Sequence, residues 1–414
     1  MSTGPLAGLT VLDLSRVLSG PYCTMQLADM GARVIKIEHP HRGDDTRAWG
    51  PPWVGEGDAR ESSYFLSVNR NKRSVALDFK TADGRAVLDQ LIARADILIE
   101  NFRPGTLAKL GLDYATLSAK FPRLIYASIS GFGQHGPRAK EAGYDAMVQA
   151  EGGLMSITGV PDAPPVRLGV AIADIAAGLF ATQGILLALI ARGTTGRGQY
   201  VDIGMFDATL ALLTYQAERT LITGTAPTRL GNTHASIAPY DTFAASDGTL
   251  VLAVGNDEQW QRFCAAASLP DAGADARFLT NDRRVRHYDT LHPIVARAIA
   301  GDTVDGWLTR LRAAGVPAGA VRQIDAVLAD AQTAARHMVE TTAHPTLGAV
   351  PVLGVPVKLS ETPGSVRTAP PVLGQHTAAV LAELGMSTGT IAALSEAGVL
   401  KCASTDTMEG HGRR

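Results

Sequence analysis

The sequence predicts an α/β protein built on a parallel sheet, and three observations carry that prediction. Short apolar strands alternate with helical segments through the first half of the chain. The opening strand–helix–strand unit occupies about 30 residues, which is how a parallel sheet begins. Glycine is abundant, 43 of 414 residues against a usual level of about 7%, in keeping with many tight strand-to-helix turns. A chain of this length exceeds what a single core serves, so two domains are expected.

The elements follow in order. Leu9–Leu14 reads as a buried strand, Ser19-Gly20-Pro21 as a turn, Tyr22–Met30 as a helix closed by Gly31, and Arg33–Glu38 as the second strand. No GxGxxG accompanies this unit, so a dinucleotide is not indicated. Residues 41–57 (HRGDDTRAWGPPWVGEG) are rich in Gly and Pro and read as a long loop. It carries Arg47, Trp49 and Trp53, and long loops with aromatic residues are often functional. Strand Ser74–Asp78, helix Thr81–Arg94, strand Ile97–Glu100 and strand Leu124–Ile129 continue the alternation. Asn101-Phe102-Arg103-Pro104-Gly105 follows a strand's carboxyl end, where open α/β sheets place ligands. Strand Tyr200–Ile203 and helix Phe206–Thr220 come next, and the composition shifts near Gly224. A hairpin with its turn at Asp247-Gly248 and helices at 257–267, 291–300 and 305–314 read as a small α+β domain. The expected division is 1–222, 223–325, 326–402 returning to the large domain, and a disordered tail at 403–414.

The centre of the chain is Ile175–Ile190, apolar on every face apart from Thr182 and Gln183, and it reads as a buried core helix. Asp174 stands immediately before it. Such an Asp has an ordinary job, capping backbone N–H groups at the helix start. It also has a chemical one. The positive end of a buried helix keeps a carboxylate ionised, and an ionised carboxylate attacks an activated acyl carbon without a general base.

Composition excludes several classes. Basic and acidic residues balance, 38 against 40, which argues against nucleic acid or an anionic membrane as partner. Cys23, Cys264 and Cys402 lie far apart, indicating neither a disulfide framework nor a zinc site. The N-terminal stretch lacks a signal peptide's basic and apolar regions, and no apolar run reaches about 18 residues, so a cytoplasmic protein is expected. There is no GxSxG elbow and no HExxH. His234 lies in a loop, GNTHASIAPYDTF, where it either faces a ligand or is simply solvated. The residues alone reach an α/β enzyme-like protein with an unpaired carboxylate at a helix start, and stop short of a reaction.

Several motifs then become recognisable together: VLDLSRVLSGPYCTMQLADMGARVIKIE, SVNRNKRSVALD, ENFRPGTLAKLG, GYDAMVQAEGG, GVAIADIAAGLFATQGIL and PPVLGQHT. In these the chain resembles the class III CoA-transferases, the formyl-CoA transferase or CaiB–BaiF family, from Leu6 to about Leu400. GDDTRAWGPPWVG, AGYDA, THASIAPYDTF and RVRHYDTLHPI are most similar to the succinyl-CoA:dicarboxylate subgroup, which acts on glutarate or hydroxymethylglutarate. The resemblance implies a Rossmann-like large domain and a small α+β domain in a ring-shaped subunit, two of which interlock as a homodimer. It implies that Asp174 is the nucleophile, forming an aspartyl–acyl anhydride and then an aspartyl-CoA thioester. The substrates would be an acyl-CoA and a small carboxylic acid, with no permanently bound cofactor and no metal. Family CoA contacts map onto Val17, Leu18, Ser19, His39, the turn Asn71, Lys72 and Arg73, Asn101, Phe102, Lys109 and Tyr144.

Leu18 replaces a glutamine of the formyl-CoA transferases and GNTHASI replaces a run of glycines, both arguing against oxalate or formate. His39 stands where those enzymes carry an arginine. Arg47 and His234 are expected to hold the distal carboxylate of a dicarboxylic acyl group, with Asp145 also at the substrate. Arg suits this because its planar guanidinium grips a carboxylate through two parallel hydrogen bonds. Two other readings compete. The related α-methylacyl-CoA racemases use a histidine where this chain has Tyr144, and a non-catalytic acyl-CoA-binding protein would not need Asp174.

Overall fold

A computed structural model describes residues 4–403. The expected disordered tail, from residue 404 on, lies outside the described residues. The chain forms two compact units, one of Met1–Gly153, Gly169–Thr214 and Ala331–Arg414, the other of Leu154–Leu168 and Tyr215–Asp330. Leu154–Leu168, which the sequence reading leaves in the large domain, thus belongs to the second unit.

In chain order the strands are β1 (Thr10–Asp13), β2 (Arg33–Glu38), β3 (Trp53–Val54), β4 (Glu61–Ser62), β5 (Lys72–Leu77), β6 (Ile97–Glu100), β7 (Ile125–Ser130) and β8 (Tyr200–Gly204). They continue as β9 (Tyr240–Ala244), β10 (Thr249–Ala253), β11 (Ala318–Ala320), β12 (Val339–His344), β13 (Gly348–Leu353) and β14 (Leu400–Lys401). The main sheet has the order β14-β5-β2-β1-β6-β7-β8. It is parallel throughout except for β14, which pairs antiparallel with β5. From β1 the chain moves outward through β2 and β5, then restarts on the other side with β6. The crevice at the carboxyl ends of β1 and β6 is therefore the topological switch point, where sheets of this kind bind ligands.

Helices cover both faces because the strands are apolar on both. Val11, Val34, Ile97 and Ile125 pack under α1 (Ser19–Asp29) and the long central helix. Their neighbours Leu12, Ile35, Leu98 and Tyr126 face the opposite layer, built from helices 82–92, 114–120, 377–383 and 388–396. Truncating one such residue, Leu12 for example, which is fully buried, costs about 2–5 kcal/mol.

Several expectations need correction. The expected turn Ser19–Pro21 is the first turn of α1; proline fits there because first-turn N–H groups have no intrahelical acceptor. The 41–57 loop contains a 3₁₀ turn at Asp45–Ala48, capped by Asp44, and the strand β3 paired with β4. The segment 206–220 is two helices, Met205–Leu212 and Thr214–Thr223, broken where Thr214 takes a left-handed φ of 41°. The β12–β13 hairpin and the helix Thr388–Glu396 give too weak a periodicity among Gly and Pro to be read beforehand.

The central helix spans Ile172–Thr195 and ends at Gly196 with φ 71°. It follows α2 (Asp145–Glu151), and we label it α3. By length and composition α3 could cross a membrane; its small face, Ala173, Ala177, Ala181, Ile185 and Ala188, is fully buried in the core. The expectation of burial all round is wrong. Leu179, Leu187 and Ile190 on the other face are 47%, 57% and 71% exposed.

In the second unit, β9, β10 and β11 form an antiparallel sheet packed on a core of Trp260, Phe263, Phe278, Leu291 and Trp307.

Candidate active site

Asp174 lies in the first turn of α3 and not before it, and the helix's N-cap, Ala171, offers no side-chain oxygen. The capping job falls to Asp145. Its Oδ1 accepts from the Ala173 amide at 2.9 Å, and its Oδ2 accepts from Gln149 at 2.7 Å. Asp174 is thereby released from capping. Its side chain instead lines a cavity together with Ser19, the first residue of α1. α1 and α3 come this close because Gly178 faces the Ser19 carbonyl; a Cβ there would lie 2.7 Å from that oxygen.

The charge state differs from the sequence argument. Burial first, and the nearby Asp145 charge second, raise the Asp174 pKa to about 6, against the lowering effect of Ser19. The helix start alone does not hold it low. The group is still mainly ionised at neutral pH, and its raised basicity makes it the better nucleophile.

Asp174 opens into a cavity of 740 Å³ whose lining includes Val17, Ser19, Trp49, Asn101, Phe102 and Tyr144. A second cavity of 340 Å³ is lined by His39, Asp78 and Lys80 among others. The two share Arg16, Arg42, Asp45, Phe102 and Arg103, so they adjoin. Apart from Tyr144, which follows β7, these residues follow the carboxyl ends of β1, β2, β5 and β6. Arg42, Lys80 and Arg103 have exposed side chains at this rim, a set of cations suited to an extended polyanion.

Of the sequence-predicted residues, Asp174, Val17, Ser19, Asn101, Phe102 and Tyr144 line the larger cavity and His39 the smaller. Asn101 spends its amide on bracing: it accepts from the Arg16 amide at 2.9 Å and donates to the Arg16 carbonyl at 2.7 Å. This holds Val17 at φ 69°, a strain of about 1–3 kcal/mol that recurs at functional sites. Leu18 is buried against Met25 and Val68 and does not line either cavity. Lys109 is exposed beside Leu107 and Leu110 of the smaller cavity but is not itself in the lining.

The Asn71–Arg73 turn is at the wrong end of its strand. It precedes or opens β5, whereas ligands gather at the carboxyl end, and there Leu77–Lys80 line the smaller cavity. Asn71 is spent on Asp29 at 2.8 Å and on the 365–368 backbone, and Arg73 pairs with Glu383 at 2.8 Å. Lys72 is fully buried, donating to Pro21 O and Asn69 at 2.9 Å and pairing with Asp13 at 3.3 Å. Lys80 was missed, although the strand-end rule that picked out Asn101 would have found it.

Arg47 also changes role. Its guanidinium grips Glu38 bidentately at 2.7 and 2.9 Å, reaches Glu61 at 3.3 Å, and lies 3.6 Å over the Phe65 ring. It lines neither cavity and has no face left for a substrate carboxylate. His234 belongs to the second unit, where its ring packs on Tyr215 and Tyr240 and its Nδ1 accepts from Ser236.

Beneath the cavity, buried charges hold the β1–α1 connection. Lys36 donates to Ser15 O at 2.9 Å and pairs with Asp44 at 2.8 Å. Asp44 accepts from the Val17 amide at 3.2 Å. Burial would raise the Asp44 pKa, but Lys36 overcomes it and the value falls to about 2. Removing one member of such a network strands a buried charge.

A switch-point cleft lined with cations, with a half-buried carboxylate in its lining, defines an enzyme acting on an anionic ligand. The chain matches the model of CoA-transferase family III over residues 6–377, and it belongs to that family as a class III CoA-transferase. It is 43% identical over 382 residues to the succinate–glutarate CoA-transferase of Agrobacterium fabrum, covering 92% of this chain and 96% of that one. It is also 43% identical over 358 residues to the acetyl-CoA:oxalate CoA-transferase of Acetobacter aceti, covering 86% and 90%. Among solved structures, a CAIB/BAIF family protein from Brucella suis superposes with a TM-score of 0.83 at 43% identity, covering 92% of this chain and 99% of that chain.

Proposed function

We propose that the protein moves CoA from a dicarboxylic acyl-CoA such as succinyl-CoA to a second carboxylic acid, with Asp174 as the covalent relay. The observation that carries this is a carboxylate relieved of capping, at the cavity floor, with a pKa near 6. Ionised Asp174 attacks the thioester carbonyl and expels CoA thiolate, giving an aspartyl–acyl anhydride. The thiolate then attacks the Asp174 Cγ, the donor acid leaves, and an aspartyl-CoA thioester remains. The acceptor carboxylate reverses the sequence. Burial favours this route because an anhydride exposed to water would hydrolyse.

Arg16, Arg42, Lys80 and Arg103 at the rim are the groups we assign to the CoA phosphates, and Val17, Asn101, Phe102 and Tyr144 to its arm. The dicarboxylate assignment is supported by the acids named for the two relatives, succinate and glutarate for one and oxalate for the other, all of them dicarboxylic. The exposed face of α3, with Leu187 and Ile190, is what a homodimer interface would cover, in keeping with an interlocked dimer.

Incubating the protein with succinyl-CoA and a panel of acids that includes glutarate and oxalate, then separating the thioesters, tests the proposal. A new dicarboxylyl thioester is expected, absent with Asp174→Ala. Transfer that survives Asp174→Ala, or no transfer from succinyl-CoA to any acid, would overturn it.

A further inference from the structure

We infer that His39 is a proton-linked contact for CoA: it meets the phosphates as a neutral donor and becomes an imidazolium once they are bound, so that CoA binding takes up a proton. This rests on the two adjoining cavities being the CoA site, and it adds a side chain whose charge arrives with the ligand.

The tautomer is fixed by the turn that follows β2. The His39 carbonyl accepts from the Gly43 amide at 2.8 Å, and Gly43 takes a left-handed φ of 65° there, which glycine adopts without a Cβ clash. Within this turn the His41 amide donates to His39 Nδ1 at 3.2 Å. A backbone N–H can only donate, so Nδ1 carries no proton and the neutral ring is protonated at Nε2. Nε2 is therefore the nitrogen left to donate to a ligand. The ring lines the smaller cavity, and the His41 ring lies 5.8 Å from it.

The surrounding charges favour the neutral ring in the protein alone. His41 and Arg42 lie on the same turn, and Asp78 and Lys80 come from the end of β5. From the end of β6 Arg103 lines the same cavity, while Arg16 is paired with Asp45 at 2.9 Å. Beneath the turn, Lys36 is paired with Asp44 at 2.8 Å and Glu38 with Arg47 at 2.7 Å. What remains is Arg42, Lys80 and Arg103 against Asp78, a surplus of positive charge. Burial first, and Arg42 next, lower the imidazole's pKa from its ordinary 6.5, with Asp78 opposing. Bound phosphates reverse the balance, because negative charge beside the ring favours the imidazolium. The proton comes from solvent and forms a bond to Nδ1, which gives up the His41 amide, while Nε2–H stays on the ligand. An arginine in this place would be charged throughout and take up nothing.

Titration calorimetry of CoA into the protein at pH 7, in PIPES and in Tris, counts the protons taken up from the difference in buffer heats. CoA's own 3′-phosphate titrates at about 6, so the readout is wild type against His39→Gln, which keeps an N–H donor and cannot be charged. The wild type should take up more protons than this variant. Its CoA affinity should also rise about 5-fold more than the variant's between pH 8 and pH 6, the effect of a pKa raised by about one unit on binding. His39→Arg should lose the same excess uptake while binding CoA at least as tightly at pH 8. Dephospho-CoA separates the two sources of phosphate: excess uptake that disappears with it assigns the contact to the 3′-phosphate, and excess that persists assigns it to the pyrophosphate. Equal proton counts and parallel pH dependence in the wild type and both variants would overturn the role of His39 and leave the CoA site standing. No binding of CoA to the wild type would overturn the site itself, and the role of His39 with it.

Discussion

Asp174→Asn should inactivate the protein and, above pH 6, make it more stable. In the folded protein the carboxyl has a pKa of about 6, against an ordinary value of 3.8. The unfolded chain gives up the proton more readily, so between these two values the folded state binds more protons, and stability falls as pH rises through the window. Each pKa unit is worth about 1.4 kcal/mol, so keeping the ionised carboxylate costs the fold about 3 kcal/mol. Its opening to the cavity lets solvent screen part of that, which leaves about 2 kcal/mol. Asn removes the charge at nearly the same volume, so the variant should recover this amount. The assay is urea unfolding of both proteins at pH 8 and at pH 4, with stability extrapolated to water. The expected result is an Asn variant about 2 kcal/mol more stable at pH 8 and nearly equal at pH 4. A less stable variant at pH 8, or a difference that does not change with pH, would refute the account of how burial and Asp145 set the charge on Asp174.

Arg47→Ala should destabilise the fold by about 3–5 kcal/mol, because Glu38 is left buried without its partner; denaturant melts measure this. On the enzyme that remains folded, the loss in kcat/KM should be the same for succinyl-CoA and butyryl-CoA, and a loss confined to succinyl-CoA would return Arg47 to the substrate. Lys80→Ala should raise the KM of CoA thioesters about 5- to 10-fold through one lost charged contact to a phosphate. Pantetheine thioesters, which lack the nucleotide phosphates, should be unaffected, and an equal rise for both would remove Lys80 from the CoA site.

Much of the fold was legible in the chain itself. Strands such as Arg33–Glu38 and Ile97–Glu100 are apolar runs bounded by turn residues, and their limits fell where expected. Local patterning decides such elements because one buried strand has few ways to satisfy its backbone. The motif around Asp174 was legible too, since a carboxylate at the start of an apolar helix is a feature of neighbouring residues. What sequence could not supply was which polar groups use each other up. Arg47, Lys72 and Asn71 have the chemistry of ligand-binding residues, and each is consumed by a partner, Glu38, Asp13 and Asp29, that only the folded chain brings near. Asp145 takes the cap from Asp174 across 28 residues for the same reason. Burial then sets the charge: the pKa of Asp174 follows from the packing of α1 on α3, which depends on one glycine, Gly178, meeting one carbonyl, Ser19. Residue type is a property of the sequence, whereas the availability of a charge depends on desolvation and pairing between distant segments, and these exist only once the chain has folded.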